Sequence, residues 1–120
     1  MDTRIRKLAE RKGESIPKPE VKADFTIKGM GRRRGEEAMI YRIPSHSEKS
    51  LYYEKGITLS EFKTAYYELI AKGNFTRTWF NENMKACAKE GGCNFTTIGG
   101  VFILLDLATY SERGIYQQRA

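Results

Sequence analysis

The sequence predicts an α+β domain built from an N-terminal β-hairpin, a three-helix bundle and a short C-terminal strand. Three observations carry that expectation. Phe25 and Ile27, then Met39, Tyr41 and Ile43, alternate with other residues at the period of a half-buried strand, on either side of a glycine-rich stretch. From Thr58 the apolar spacing switches to three and four residues, the period of a helix. Gly73 and Gly91-Gly92 then divide the C-terminal half into helix-sized pieces. With 120 residues, of which 40% are hydrophobic and 12% aromatic, the chain has the material for one core. A chain of this length buries about two-thirds of its unfolded surface, and such a composition argues against disorder throughout.

Met1–Lys22 reads as a basic N-terminal arm, with residues 23–120 as the folded domain. Two helical turns over Thr3–Arg11, capped by Asp2 or Thr3, would present only Ile5, Leu8 and Ala9 to a core and so would need a partner surface. Pro17 and Pro19 end any helix and impose an extended path. The hairpin follows, with Gly29–Gly35 as its turn and Pro44 closing the second strand. Ser45–Glu54 is polar apart from Leu51, Tyr52 and Tyr53, which could form a short strand.

The first long helix is specified locally. Thr58-Leu-Ser-Glu61 is a capping box, Leu59, Phe62, Ala65, Tyr66, Leu69 and Ile70 make the apolar face, and Gly73 is the stop. A second helix starts at a Thr76 cap, gathers Trp79, Phe80, Met84, Cys87 and Ala88 on one side, and ends at Gly91-Gly92. A third runs over 97–109 with Ile98, Val101, Phe102, Leu105 and Ala108 on a stripe, although its β-branched and glycine content leaves a strand as the rival reading. Ser111–Gly114 reads as a turn and Ile115–Gln118 as the closing strand.

That order of elements resembles the layout of winged helix-turn-helix domains, over roughly residues 36–118. The resemblance implies that helix 97–109 would enter a DNA major groove and that Arg113–Tyr116 would flank a phosphate. The residues themselves resist the first implication. A groove-reading helix offers Arg, Lys, Asn or Gln to base edges, whereas 97–109 carries one charge, Asp106. Gly99 and Gly100 could admit a phosphate backbone or could permit close packing of the helix, and the second is the expectation. The chain also resembles, without fixing any residue, small uncharacterised bacterial proteins carried on mobile gene cassettes.

Charge locates the expected binding apparatus. The first 35 residues hold eleven Lys/Arg and five acids, which accounts for the whole net charge of +6, while residues 36–120 hold ten of each. Such asymmetry points to a polyanion. Three consecutive arginines, Arg32, Arg33 and Arg34, sit at the hairpin tip, where their mutual repulsion calls for an anion. The expected nucleic-acid contacts are Arg4, Arg6, Lys7, Arg11, Lys12, Lys28, Arg32, Arg33, Arg34, Arg42, Arg77 and Arg113. About six phosphate contacts would give a log–log salt slope of about −5. The expected partner is DNA, with RNA as a variant, bound without catalysis and without a cofactor. The alternative is a protein-interaction or homodimeric module formed through helix 97–109.

Other chemistries have thinner support. Cys87, Cys93 and His46 are too few and too unevenly spaced for a structural zinc site, and the two thiols are expected free. His46, between two serines, is the one candidate for a small nuclease or toxin-like activity, and Glu36-Glu37 would point to opposite faces of a strand. No apolar run is long enough to span a membrane and no secretory signal is evident, so a cytoplasmic location is expected.

Overall fold

The chain folds around two antiparallel sheets joined by helices. The computed structural model describes residues 1–19, 24–45 and 51–119. Lys22 of the expected arm and His46 lie outside the described residues. In chain order the elements are α1 (Asp2–Ala9), β1 (Ser15–Ile16), β2 (Phe25–Arg33), β3 (Glu36–Pro44), β4 (Tyr52–Thr58), α2 (Leu59–Lys72), β5 (Asn74–Thr76), α3 (Arg77–Asn83), α4 (Lys85–Glu90), α5 (Cys93–Leu104), β6 (Ala108–Glu112) and β7 (Ile115–Gln118). The first sheet has the order β1-β2-β3-β4 and the second β5-β7-β6. The α+β class is therefore as expected, with five helices among the described residues where three were expected. The radius of gyration, 13.3 Å, is that of one folded unit of this length.

The hairpin forms, and its turn is far tighter than the glycine-rich stretch suggested. β2 continues to Arg33, which pairs with Glu36, so the turn is the two residues Arg34-Gly35. Both have positive φ, 50° and 78°. That pattern belongs to the turn whose twist matches a hairpin, and Gly35 adopts it without a Cβ penalty. Met39 and Tyr41 point into the core with Phe25, Ile27 and Ile57. Ala38 and Ile40, of the opposite parity, are buried too, and Ile40 lies against Gly31 and Gly56.

The segment expected as an arm is tied into that core. Ile5, Leu8 and Ala9 of α1 are buried, Ile16 is buried in β1, and β1 pairs with β2 through Ser15–Thr26 and Ile16–Phe25. The partner surface that the two-turn helix lacked is the chain's own sheet and α2, which α1 packs against. Isolated helices this short are marginal in water, so burial of these three side chains is what stabilises it.

α2 follows its sequence signals closely. The Thr58 hydroxyl accepts from the Glu61 N–H at 3.1 Å, and the Glu61 carboxylate accepts from the Thr58 N–H at 2.8 Å. Gly73 closes it in the left-handed conformation. Leu59, Phe62, Ala65 and Leu69 are buried as expected, but Tyr66 is only half-buried and Ile70 is exposed. The helix turns a narrower stripe inward than its composition offered.

The expected second helix is two. Thr76 caps α3 by accepting from the Trp79 N–H at 3.1 Å, but the helix breaks at Met84, with φ −121° and ψ 55°. Asn83 donates through its side chain to the Trp79 carbonyl at 3.0 Å, the kind of local competition that makes asparagine a poor helix interior. The expected third helix, 97–109, begins and ends early: α5 spans Cys93–Leu104, and Ala108–Glu112 is strand. Its stop is a Schellman motif. Leu107 N–H donates to Phe102 O at 2.8 Å and Asp106 N–H to Ile103 O at 3.0 Å. Asp106 takes the left-handed position at φ 59°, a place where glycine is the usual signal. Gly99 and Gly100 serve close packing, as expected. A Cβ at Gly99 would collide with the Tyr116 ring, and one at Gly100 would lie 2.5 Å from the Pro17 carbonyl oxygen.

Candidate phosphate-binding cleft

The second sheet, α3 and α5 enclose an aromatic cluster. Phe75 meets Phe80, Phe95 and Phe102 with ring centroids 4.9–6.3 Å apart, and Tyr116 packs between Phe95 and Tyr110. Above the rim of this cluster lies a cavity of about 350 Å³. It is walled by Lys18 and Pro19 of the extended N-terminal segment, Arg77 at the start of α3, Phe95 and Thr96 in the first turn of α5, and the β6–β7 hairpin through Tyr110, Arg113, Gly114 and Tyr116. Three cationic side chains from three distant stretches of sequence converge there. Among the described residues no aspartate or glutamate lines it.

Each element of the wall is held by its own bonds. The Arg77 N–H donates to the Gly114 carbonyl at 2.9 Å, which pins the start of α3 to the hairpin turn. The Arg77 guanidinium donates to the Gly92 carbonyl at 3.1 Å and lies 4.7 Å from the Phe95 ring centroid. A planar cation stacked in this way is preorganised for a second planar or anionic partner on its open side. Lys18 is confined between prolines, with its Nζ 3.1 Å from the Phe25 ring centroid. Burial lowers its pKa from the ordinary 10.5 to about 8, with the charge of Arg77 acting in the same direction and Cys93 opposing. A bound anion would reverse that depression.

A second cavity of about 540 Å³ is walled by Thr76, Arg77, Thr78, Asn81, Arg113, Gly114 and Ile115. Arg77, Arg113 and Gly114 belong to both walls. The two cavities therefore adjoin along a shared wall, and the pair is called the groove, with the two arginines of that wall as its waist.

No family model, curated protein or solved structure matches this chain. What the groove can do follows from its own chemistry.

The twelve expected contacts divide by what already engages them. Arg34 donates to both carboxylate oxygens of Glu61, at 2.9 and 2.6 Å, and to the Gly56 carbonyl at 2.8 Å, with Glu90 3.3 Å away. The hydrogen bond to Glu61 holds its pKa further up. Arg33 pairs with Glu90 at 3.4 Å. Burial opposes ionisation of Glu90, yet hydrogen bonds from Asn94 and the Gly56 N–H, with the charge of Arg34, hold it below the usual carboxylate range. So the repulsion expected at the hairpin tip is relieved internally. Arg32 donates to the Gly35 carbonyl at 2.7 Å and stays exposed.

Elsewhere Arg6 makes a bidentate pair with Glu37 at 3.2 Å, Lys28 and Arg42 share Glu54 at 3.0 and 3.4 Å, and Arg11 reaches Glu14 at 3.5 Å. Arg4 and Lys7 line the solvent side of α1 and Lys12 follows it, all exposed. Arg77 and Arg113 of the expected set meet in the groove. Lys18, Thr96 and Tyr110 line the groove but do not belong to the expected contact set. The signal for Lys18 was the Pro-Lys-Pro triplet, which holds a cation in a fixed extended path.

Burial pushes the Cys87 thiol and the Tyr41 phenol up in pKa, away from nucleophilic use. Both cysteines are free thiols, as expected. The Tyr41 hydroxyl donates to Asn94 Oδ1 at 2.5 Å, and Asn94 in turn donates to the Cys87 carbonyl at 2.9 Å, a fully engaged buried network that ties β3, α4 and α5 together. Among the described residues no group of three or more His, Cys, Asp or Glu side chains is placed to hold a metal ion, and no helix is long and apolar enough to cross a membrane.

Proposed function

We propose that the protein binds the phosphate backbone of a nucleic acid, without catalysis, through the groove whose waist is Arg77 and Arg113. The observation that carries this reading is the convergence of Lys18, Arg77 and Arg113 on one cavity with no carboxylate among its described lining residues. In a winged-helix frame the β6–β7 hairpin would be the wing, with Arg113 at its turn. Helix α5 has no reading role in that frame, because Thr97–Phe102 is buried. Backbone contacts without base contacts give affinity and little sequence preference.

Arg6, Arg11, Lys28, Arg33, Arg34 and Arg42 of the expected set are in ion pairs with the chain's own carboxylates. With three cations in the groove, the expected log–log salt slope falls to about −2 to −3. Fluorescence anisotropy with a labelled mixed-sequence oligonucleotide at two salt concentrations measures it. Arg77→Ala with Arg113→Ala should weaken binding about tenfold or more, while Arg33→Ala should leave affinity unchanged. An absence of binding at low salt would sink the proposal.

A second reading, a homodimeric module, draws on a different surface from the one first expected, since α5 is buried in its own chain. Leu51, Tyr52 and Tyr53 are 55%, 52% and 61% exposed at the open end of the edge strand β4. Sedimentation at increasing concentration tests it, and a concentration-independent monomer counts against it.

A further inference from the structure

We infer that the groove takes an unpaired nucleic-acid strand, with one phosphodiester at the Arg77–Arg113 waist and the two flanking nucleosides in the cavities on either side. This inference rests on the nucleic-acid reading and narrows it to one class of ligand. The shared rim is what carries it. A single run of bound chain must cross from the cavity lined by Lys18 and Tyr110 to the cavity lined by Thr78 and Asn81, and the crossing point is walled by two arginines and Gly114.

The two sides of that waist have the chemistry of a nucleoside site. On one side Pro19 and Tyr110 line the cavity together with Arg77, and bases stack on aromatic rings and on arginine planes alike. On the other side Thr76, Thr78 and Asn81 offer hydroxyl and amide groups able to meet base edges or sugar hydroxyls. The volumes, about 350 and 540 Å³, lie within the range of about 300–1,000 Å³ for sites that enclose small molecules.

A duplex does not use such recesses. Its phosphates are convex to the protein and its bases face each other, so a base enters a pocket only after being unpaired and swung out. An unpaired strand needs no such step. A lone phosphate would use the waist and leave both cavities without function.

The test is anisotropy of the full chain with a labelled pyrimidine dodecamer that cannot pair with itself, and with the same strand annealed to its complement, at equal salt. The single strand should bind at least tenfold more tightly than the duplex. An unlabelled dinucleotide should displace it at concentrations where inorganic phosphate does not. Asn81→Ala and Tyr110→Leu should each weaken the single strand about threefold or more and leave duplex binding unchanged, with circular dichroism showing the fold intact. Asn81 is solvent-exposed, so its variant serves where Tyr110→Leu fails to fold. Equal affinity for duplex overturns this inference and leaves the nucleic-acid reading standing. Displacement by phosphate as effective as by dinucleotide overturns it in favour of a simple anion site. Binding to neither strand form overturns both.

Discussion

Two arginine-rich regions of this molecule are assembled in different ways. At the β2–β3 tip, Arg33 and Arg34 are met by Glu90 and Glu61. In the groove, Arg77 and Arg113 stand with Lys18 in a wall that has no carboxylate among the described residues. The first cluster is contiguous in sequence and conspicuous; the second is assembled from three separate segments. The difference teaches that a run of like charges says nothing about its function until the partners brought by the fold are known. Arg34 is the sharper case. It occupies a left-handed turn position that costs a non-glycine residue of the order of 1 kcal/mol, and its bidentate pairing to Glu61 offsets that strain. Its guanidinium is a latch between the hairpin tip and the first turn of α2.

The largest expected effect tests the latch. Glu61→Ala removes the bidentate partner of Arg34 and half of the Thr58 capping box in one substitution. A lost cap costs about 1 kcal/mol, and loss of the two charge-assisted hydrogen bonds from Arg34, which keeps Glu90 at 3.3 Å, adds about as much again. Urea denaturation should therefore show a loss of about 2 kcal/mol. Affinity for an oligonucleotide should be unaffected. If instead stability held and binding fell, the hairpin tip would be the binding site and the contrast between the regions would be inverted.

How much of this was legible in the sequence follows the range of the interactions. Thr58, Glu61, Gly73 and Thr76 act on backbone groups within four residues, and each was read correctly. Asp106 ends α5 by the same local rule but with an aspartate where glycine is the usual marker, so the helix was drawn too long. The break at Met84 has no local marker, because the apolar spacing of Phe80, Met84 and Cys87 continues across it. Ile5, Leu8 and Ala9 were recognised as a face, but what covers that face is a sheet formed by later residues. The groove was least legible of all. Arg77 and Arg113 lie 36 residues apart, and nothing local says that Lys18 comes to stand beside them.

The next effect, smaller, sharpens the groove. Lys18 has a folded pKa of about 8, below its ordinary 10.5. The native chain therefore binds fewer protons than the unfolded chain between those values. Stability should rise with pH across that window while affinity for an anion falls, because the ammonium that meets the anion is being lost. Oligonucleotide affinity should drop about threefold to fivefold between pH 7 and 9.5. Lys18→Met should lower affinity at pH 7 and flatten the profile. Cys93, Tyr110 and Tyr116 also stand near Lys18, so Cys93→Ser is the control and should keep the slope. A profile that survives Lys18→Met would remove Lys18 from the groove's chemistry.

The smallest expected effect lies at the pair that most resembles the latch on paper. Arg6 and Glu37 also form two parallel hydrogen bonds, both at 3.2 Å, but both side chains are about half exposed. Water and salt screen such a pair, and exposed pairs often contribute nothing measurable. The hydrogen bond from Arg6 holds Glu37 below the usual carboxylate range. Whatever the pair contributes is therefore present at neutral pH and lost as acid protonates Glu37. Arg6→Ala should leave the thermal midpoint unchanged at neutral pH and moderate salt, and should not alter oligonucleotide affinity. A marked loss of stability would mean that α1 is held by its charge as well as by Ile5 and Leu8. The same bidentate geometry would then be worth as much at the surface as beneath the hairpin, and burial would no longer explain why Arg34 latches and Arg6 does not.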